Sequence, residues 1–160
     1  DATPWNDLAD IPDDAWDRVL DVNLLGAFRC TRALAPALRG AGGAVVNISS
    51  VAGHRASGSS LVYSVSKAAL MQLTKGMARL LAPQVRVYSV SPGMVTTRWA
   101  VGLFGSEEAM QEVAARASAT SPLQAVAGPE HVAQAVLGLL GMDLVTGEDV
   151  VVDAGRWLQY

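Results

Sequence analysis

Ala44-Val45-Val46-Asn47-Ile48-Ser49-Ser50 and, after a stretch rich in Gly, Ser and Ala, Tyr63-Ser64-Val65-Ser66-Lys67 decide how this chain folds. The first is a short β-branched run bounded by glycines and serines, and it reads as a buried strand. The second opens a long helical pattern to Leu81, with Leu70, Leu73, Met77 and Leu80 on one stripe. Residues 51–60 between them read as a loop. On a helix, positions i and i+4 share a face, so Tyr63 and Lys67 lie together. A lysine cation beside a tyrosine stabilises the phenolate and lowers the tyrosine pKa. Such a tyrosine passes a proton near neutral pH, as alcohol–ketone chemistry requires.

The same alternation continues on both sides. Residues 1–12 hold Pro4 and Pro12 and read as an irregular lead-in. From Asp13 to about Leu38, Trp16, Val19, Leu20, Leu24, Ala27, Phe28, Leu34 and Leu38 recur at helical spacing. Gly40-Ala41-Gly42-Gly43 ends that helix. Val85 to Val90 is a second strand, stopped by Pro92-Gly93. Residues 94–127 are the least regular part, with a helix near Glu107–Ala117. Pro129 starts a helix to about Leu140, and Asp149–Val152 is a last strand. Strands alternating with helices of this length predict an α/β domain over residues 1–160, with a parallel sheet covered on both faces.

The bulk numbers narrow the class. Of 160 residues, 51% are apolar and 17% charged, a balance that suits a well-buried protein and argues against disorder. The net charge of −3 and the lack of any Lys/Arg run give no reason to expect nucleic acid. No apolar run approaches the roughly 20 residues of a membrane span. One cysteine, Cys30, permits no internal disulfide and fits a reducing, cytoplasmic setting; its apolar helical surroundings predict a core position. Two histidines and one cysteine argue against a dedicated zinc site.

Four motifs in order and spacing resemble the short-chain dehydrogenase/reductases. They are Asp21-Val22-Asn23-Leu24-Leu25-Gly26, Asn47-Ile48-Ser49-Ser50-Val51-Ala52-Gly53, Tyr63-x-x-x-Lys67 and Pro92-Gly93-Met94-Val95-Thr96-Thr97. The tail Thr146 to Gly155 is similar to the family's last strand. The resemblance implies a Rossmann-like doubly wound parallel sheet and an NAD(P)-dependent oxidoreductase acting on a secondary alcohol or ketone, of the 3-oxoacyl reductase or hydroxy-substrate dehydrogenase type. It implies that Tyr63 is the general acid or base and belongs to the cofactor-binding residues. Lys67 tunes Tyr63 and holds the cofactor ribose, and Ser50 steadies the substrate oxygen. Asn23 bends its helix and holds a water that joins Lys67 to solvent. Pro92 and Gly93 turn the chain beside the nicotinamide, and Val95 and Thr97 contact its carboxamide. Asn47 is implied to be structural, and Asp21 a helix-face or backbone partner.

The segment Met94–Ala127 is expected to be a substrate lid. Trp99, Val101, Leu103, Phe104 and Met110 point to an apolar, small-molecule substrate, or alternatively pack on the core or a partner subunit. His54, Arg55 and Val62 border the expected pocket; His54, with no Asp or Glu near it in sequence, reads as an exposed loop residue. His131 has no evident chemical role.

Two departures matter. The family's N-terminal Gly-rich cofactor turn has no counterpart, so the chain resembles the C-terminal part of a family member, with the N-terminal strands absent. NAD and NADP are both open. The sequence is then either a partial record of a complete enzyme, expected to form a homodimer or homotetramer, or a short protein that has lost cofactor binding and acts as a subunit or interaction module. The second departure is Tyr88, where the family often has Asn before the Pro-Gly turn; it questions the support of that loop. A remote alternative is an acyl-hydrolase, from the Ser64-x-x-Lys67 match, although its companion K-T-G and S-D-N elements are missing.

Overall fold

The computed structural model describes residues 7–158. A helical run opens the fold: α1 (Asp13–Leu20), a π-helical segment (Asp21–Gly26) and α2 (Ala27–Ala41) follow one another without a break. Gly42 closes α2 with φ of 61°, a left-handed conformation that glycine adopts without a Cβ penalty. The Gly43 N–H then reaches back to the Leu38 carbonyl at 2.9 Å, satisfying an end that would otherwise be orphaned.

Next come β1 (Ala44–Ile48), α3 (Leu61–Leu81), β2 (Arg86–Pro92), α4 (Arg98–Phe104), α5 (Glu107–Thr120), α6 (Pro129–Leu140) and β3 (Asp149–Val152). The three strands form one parallel sheet in the order β1-β2-β3, as the strand–helix alternation predicts. Its register sets Asn47 beside Ser89 and Ser89 beside Asp149. The carboxyl ends of the strands therefore share one edge of the sheet.

Side chains alternate across that sheet with the period of two that a strand dictates. Val45 and Val87 join Ala35 and Leu38 of α2 and Leu73, Met77, Ala78 and Leu81 of α3 in one core. Val46, Tyr88, Val90, Val150 and Val152 turn the other way and pack with Val132, Val136 and Leu139 of α6. Helices cover both faces, and the architecture is Rossmann-like α/β.

The helices bury a different stripe from the one their large apolar residues suggest. In α2 the buried residues are Thr31 and Ala35, while Leu34 is 57% exposed. Cys30 is also exposed, against the expected core position. Small residues at i and i+4 let α2 lie close to its neighbours, and this turns Cys30 and Leu34 outward. In α3, Leu70, Thr74, Met77, Ala78 and Leu81 are buried and Leu80 is not. Helix α4 falls inside the segment read as irregular; its seven residues are too few to show a period. Thr97 caps it, accepting the Ala100 N–H at 3.3 Å.

Tyr88 supports a turn other than the Pro92-Gly93 one, the turn after α6. Its ring is fully buried under α6, and its hydroxyl donates to the Met142 carbonyl at 2.8 Å. Arg86 donates to the same carbonyl, so two β2 side chains hold the turn after α6. Tyr88→Phe is expected to cost about 1 kcal/mol, one net hydrogen bond. The check is a lower urea midpoint at unchanged slope.

Candidate active site

Ser60 fixes where α3 begins. Its hydroxyl accepts the Tyr63 N–H at 3.1 Å and so orders the first turn, two residues earlier than the apolar pattern starts. Helical geometry then places Lys67 one turn beyond Tyr63, with its Nζ 5.6 Å from the centre of the Tyr63 ring. The Lys67 ammonium donates to the Ile48 carbonyl at 2.8 Å, at the end of β1. Burial pushes its pKa below the ordinary lysine value.

The turn after β1 is held against α3 at the same place. Ser49 is buried, and its Oγ donates to the Lys67 carbonyl at 2.9 Å. Ser50 caps the 3₁₀ turn Val51–Gly53, its Oγ accepting the Ala52 N–H at 3.1 Å. The Ser50 hydroxyl proton has no acceptor among the described residues and can be donated. Gly53 meets α3 so closely that a Cβ there would lie 2.6 Å from Met71 Cε and 2.7 Å from the Ala68 nitrogen. Only glycine fits this contact.

Asn23 lies in the π-helical segment and ties it to α3. Its Nδ2 donates to Ser66 Oγ at 3.0 Å, and Ser66 Oγ donates to the Tyr63 carbonyl at 2.7 Å. Asn47 donates to Thr74 Oγ1 at 2.8 Å within the core. Asp21 pairs with Arg29 on the exposed helix face.

Beyond β2, Gly93 approaches Asp153 so nearly that a Cβ would come within 2.7 Å of the Asp153 Cβ. Val95 forms a parallel bridge with Ala127, which draws the chain after α5 over the turn. A cavity of about 890 Å³ opens at the carboxyl ends of the strands. Ser50, Tyr63, Lys67, Pro92, Gly93, Val95 and Thr97 all line it. Asn23 does not; it stands behind α3. Of the lid residues, Trp99, Leu103 and Phe104 line the cavity, whereas Met110 is buried in α5. Arg55 lines it too, and His54 and Val62 do not. Ser64 is buried and donates to the Leu61 carbonyl, away from the cavity, which leaves the acyl-hydrolase reading without a reachable nucleophile.

Three features were not legible in the sequence. His54 Nε2 pairs with Asp149 Oδ2 at 2.8 Å across a separation of 95 residues. Asp149 also accepts from Ser89 and Ser91, which the parallel register of β2 and β3 sets beside it. Asp153, Arg156 and Trp157 line the cavity from the turn after β3. His131 accepts the Gly128 N–H on its Nδ1 at 2.9 Å and so caps α6. Only the last had a local signal, a polar side chain three residues into a helix.

Two outcomes follow from this packing. Gly53→Ala forces the turn off α3 and is expected to cost about 1–3 kcal/mol, read as a lower midpoint of thermal unfolding. Lys67 carries a pH dependence. Its folded pKa lies below 10.5, so between the lowered value and 10.5 the unfolded chain binds the proton more tightly. Folding stability therefore rises with pH across that window. Measured by urea denaturation, the stability of the wild type relative to Lys67→Met should grow toward the upper end of it.

Comparison with known proteins agrees with this geometry. The family model described as "Enoyl-(Acyl carrier protein) reductase" matches residues 2–156. A protein of Streptomyces violaceoruber named as a ketoacyl reductase of the granaticin polyketide synthase is 37% identical over 98% of this chain. This chain spans 62% of that relative's length. The short-chain dehydrogenase/reductase homolog YusR of Bacillus subtilis is 40% identical over 83% of this chain, which spans 98% of it. The crystal structure of a 3-oxoacyl-[acyl-carrier protein] reductase with bound NAD from Brucella melitensis superposes with a TM-score of 0.81 at 32% identity, covering 98% of this chain and 57% of that one. Among the described residues, no helix is long and apolar enough to cross a membrane. With four motifs in register, the parallel sheet and these relatives, the chain belongs to the short-chain dehydrogenase/reductase family of oxidoreductases.

Proposed function

We propose that the chain carries the proton-transfer and nicotinamide side of an NAD(P)-dependent oxidoreductase that interconverts a secondary alcohol and a ketone, of the 3-oxoacyl reductase or hydroxy-substrate dehydrogenase type. The observation that carries this reading is the shared cavity. Ser50, Tyr63 and Lys67 come from the β1 end and α3, the Pro92–Thr97 turn comes from β2, and all face one space.

The cavity suits the nicotinamide half of the cofactor. Its volume lies in the range of small-molecule sites. The Lys67 ammonium and the Ser50, Tyr63 and Thr97 hydroxyls supply polar groups for a ribose and a carboxamide. Lys67, Pro92, Gly93, Val95 and Thr97 would hold it there. When bound, the nicotinamide supplies the hydride to the carbonyl carbon or takes it from the carbinol carbon.

The side chains do the rest. In reduction Tyr63 gives its phenolic proton to the carbonyl oxygen, and Ser50 donates a hydrogen bond to the same oxygen. The Lys67 cation stabilises the phenolate that remains. Asn23, fixed behind α3 through Ser66, holds the water that returns the proton from solvent. Oxidation runs the same transfers backwards. The apolar wall of Trp99, Leu103 and Phe104 excludes water and fits an apolar substrate body.

Val22, Leu25, Phe28 and Leu34 are exposed along the opening helical run, which favours a homodimer or homotetramer. A cytoplasmic setting completes the reading.

The test uses the native protein with any flanking sequence included. Tyr63→Phe is expected to lower ketone-dependent NAD(P)H turnover by about 10²–10⁴-fold while binding of NADH or NADPH is retained. Near-normal turnover would sink the assignment of Tyr63.

A further inference from the structure

We infer that Trp157 fixes how long a substrate the site accepts, by closing the main cavity off from a second, apolar one. This rests on the reading of the main cavity as the oxidoreductase site. The second cavity, of about 540 Å³, lies against the same turn after β3. Ala125, Val126, Ala127, Asp153 and Trp157 line both cavities and form their common wall. Trp157 is the one large side chain in it.

The rest of the wall is backbone that the fold has pinned. The Ala125 N–H donates to Ser121 Oγ at 3.2 Å, and the Thr96 N–H donates to the Ala127 carbonyl at 3.1 Å. Asp153 builds its own turn: its carboxylate oxygens accept the Gly155 N–H at 2.9 Å and the Trp157 N–H at 2.6 Å. The indole is held as well. Its ring centre lies 5.1 Å from that of His54, which is anchored to Asp149 at 2.8 Å. Arg55 Cζ lies 5.4 Å from the same indole centre. A ring with these neighbours is a fixed stop, because closely packed side chains do not yield freely.

Beyond the stop the lining is hydrocarbon. Leu123, Val151, Val152 and Leu158 face the second cavity. Its two ionisable side chains are already engaged, Asp153 in its turn and His131 on the Gly128 N–H. Such a lining suits an alkyl chain. The substrate class is therefore a ketone or alcohol whose unbranched apolar chain ends against the indole. Longer homologues are refused although apolar room lies behind the ring.

The probes are the ethyl esters of 3-oxobutanoate, 3-oxooctanoate and 3-oxododecanoate, which lengthen the chain on the side of the ketone away from the ester. In the native protein, with any flanking sequence included, kcat/KM is measured in wild type, Trp157→Leu, Trp157→Ala, and Trp157→Ala combined with Leu123→Trp. The wild-type value should fall at the longest probe; a value that climbs to the end of the series overturns the inference. Trp157→Ala should raise the longest-to-shortest ratio about tenfold or more, since each methylene buried is worth about fourfold. Trp157→Leu should raise it less, and it carries the test if Trp157→Ala does not fold. Leu123→Trp refills the second cavity and should cancel the gain. An unchanged ratio in both single variants overturns the inference, as does a gain that survives Leu123→Trp. If no probe is turned over by any form, the proposed activity is what fails. Calorimetric titration with the matching 3-hydroxy esters then decides the inference separately: Trp157→Ala must favour the longest ester over the shortest more than the wild type does, and an equal preference overturns it.

Discussion

The contact between the turn after β1 and the backbone of α3 governs the rest of this structure. Two bonds across the contact, one within the turn and one missing atom make it. Ser49 Oγ reaches the Lys67 carbonyl, Lys67 Nζ reaches the Ile48 carbonyl, and the Ser50 hydroxyl closes its own turn. Gly53 has no Cβ to hold the two apart. Without that approach, Ser50 and Tyr63 would sit on separate elements with nothing to set their distance. The sheet face beneath shows the same preference for polar closure. Asn47 bonds Thr74, and Asp149 gathers Ser89, Ser91 and His54. Buried polar groups in this low-dielectric region are paired, and such networks rigidify what they join.

How much of this could be read beforehand depended on the range of the signal. Local chemistry was legible: strand β1 from its β-branched run, α3 from its period, and the end of α2 from its glycines. The Tyr63–Lys67 pairing needed only helical geometry. The resemblance contributed the sites that spacing alone leaves open, such as Ser50 rather than Ser49. Both serines line the cavity; the Ser49 hydroxyl is buried and donates to the Lys67 carbonyl, while the Ser50 hydroxyl accepts the Ala52 N–H. The sequence was poorest where tertiary register decides. Nothing near His54 announces Asp149, and nothing in the C-terminal turn announces that Arg156 and Trp157 return to the strand ends. Cys30 and Leu34 were misread because a helix with an Ala and Thr stripe packs by closeness, not by size.

The two faces of the sheet are finished differently. Toward α2 and α3 the core is aliphatic at the amino end of the strands and polar at the carboxyl end, where chemistry belongs. Toward α6 the core is apolar, and Tyr88 with Arg86 satisfies the turn beyond the helix. A core that keeps its polar atoms at one end concentrates its dipoles where a ligand enters.

Lys67 also has a bearing on how the sheet can grow. Among the described residues β1 pairs with β2 on one side only. Gly43 and Ser49 direct their backbone groups to β2, so the alternate residues, Ile48 among them, direct theirs to the open side. An unpaired strand edge is a template for another chain, and lysine is the residue proteins most often use to blunt one. The ammonium on the Ile48 carbonyl occupies the last acceptor of that ladder. The same cation that stands beside the Tyr63 ring thereby also satisfies the last outward-facing carbonyl of β1, and one side chain ties the strand end to the helix.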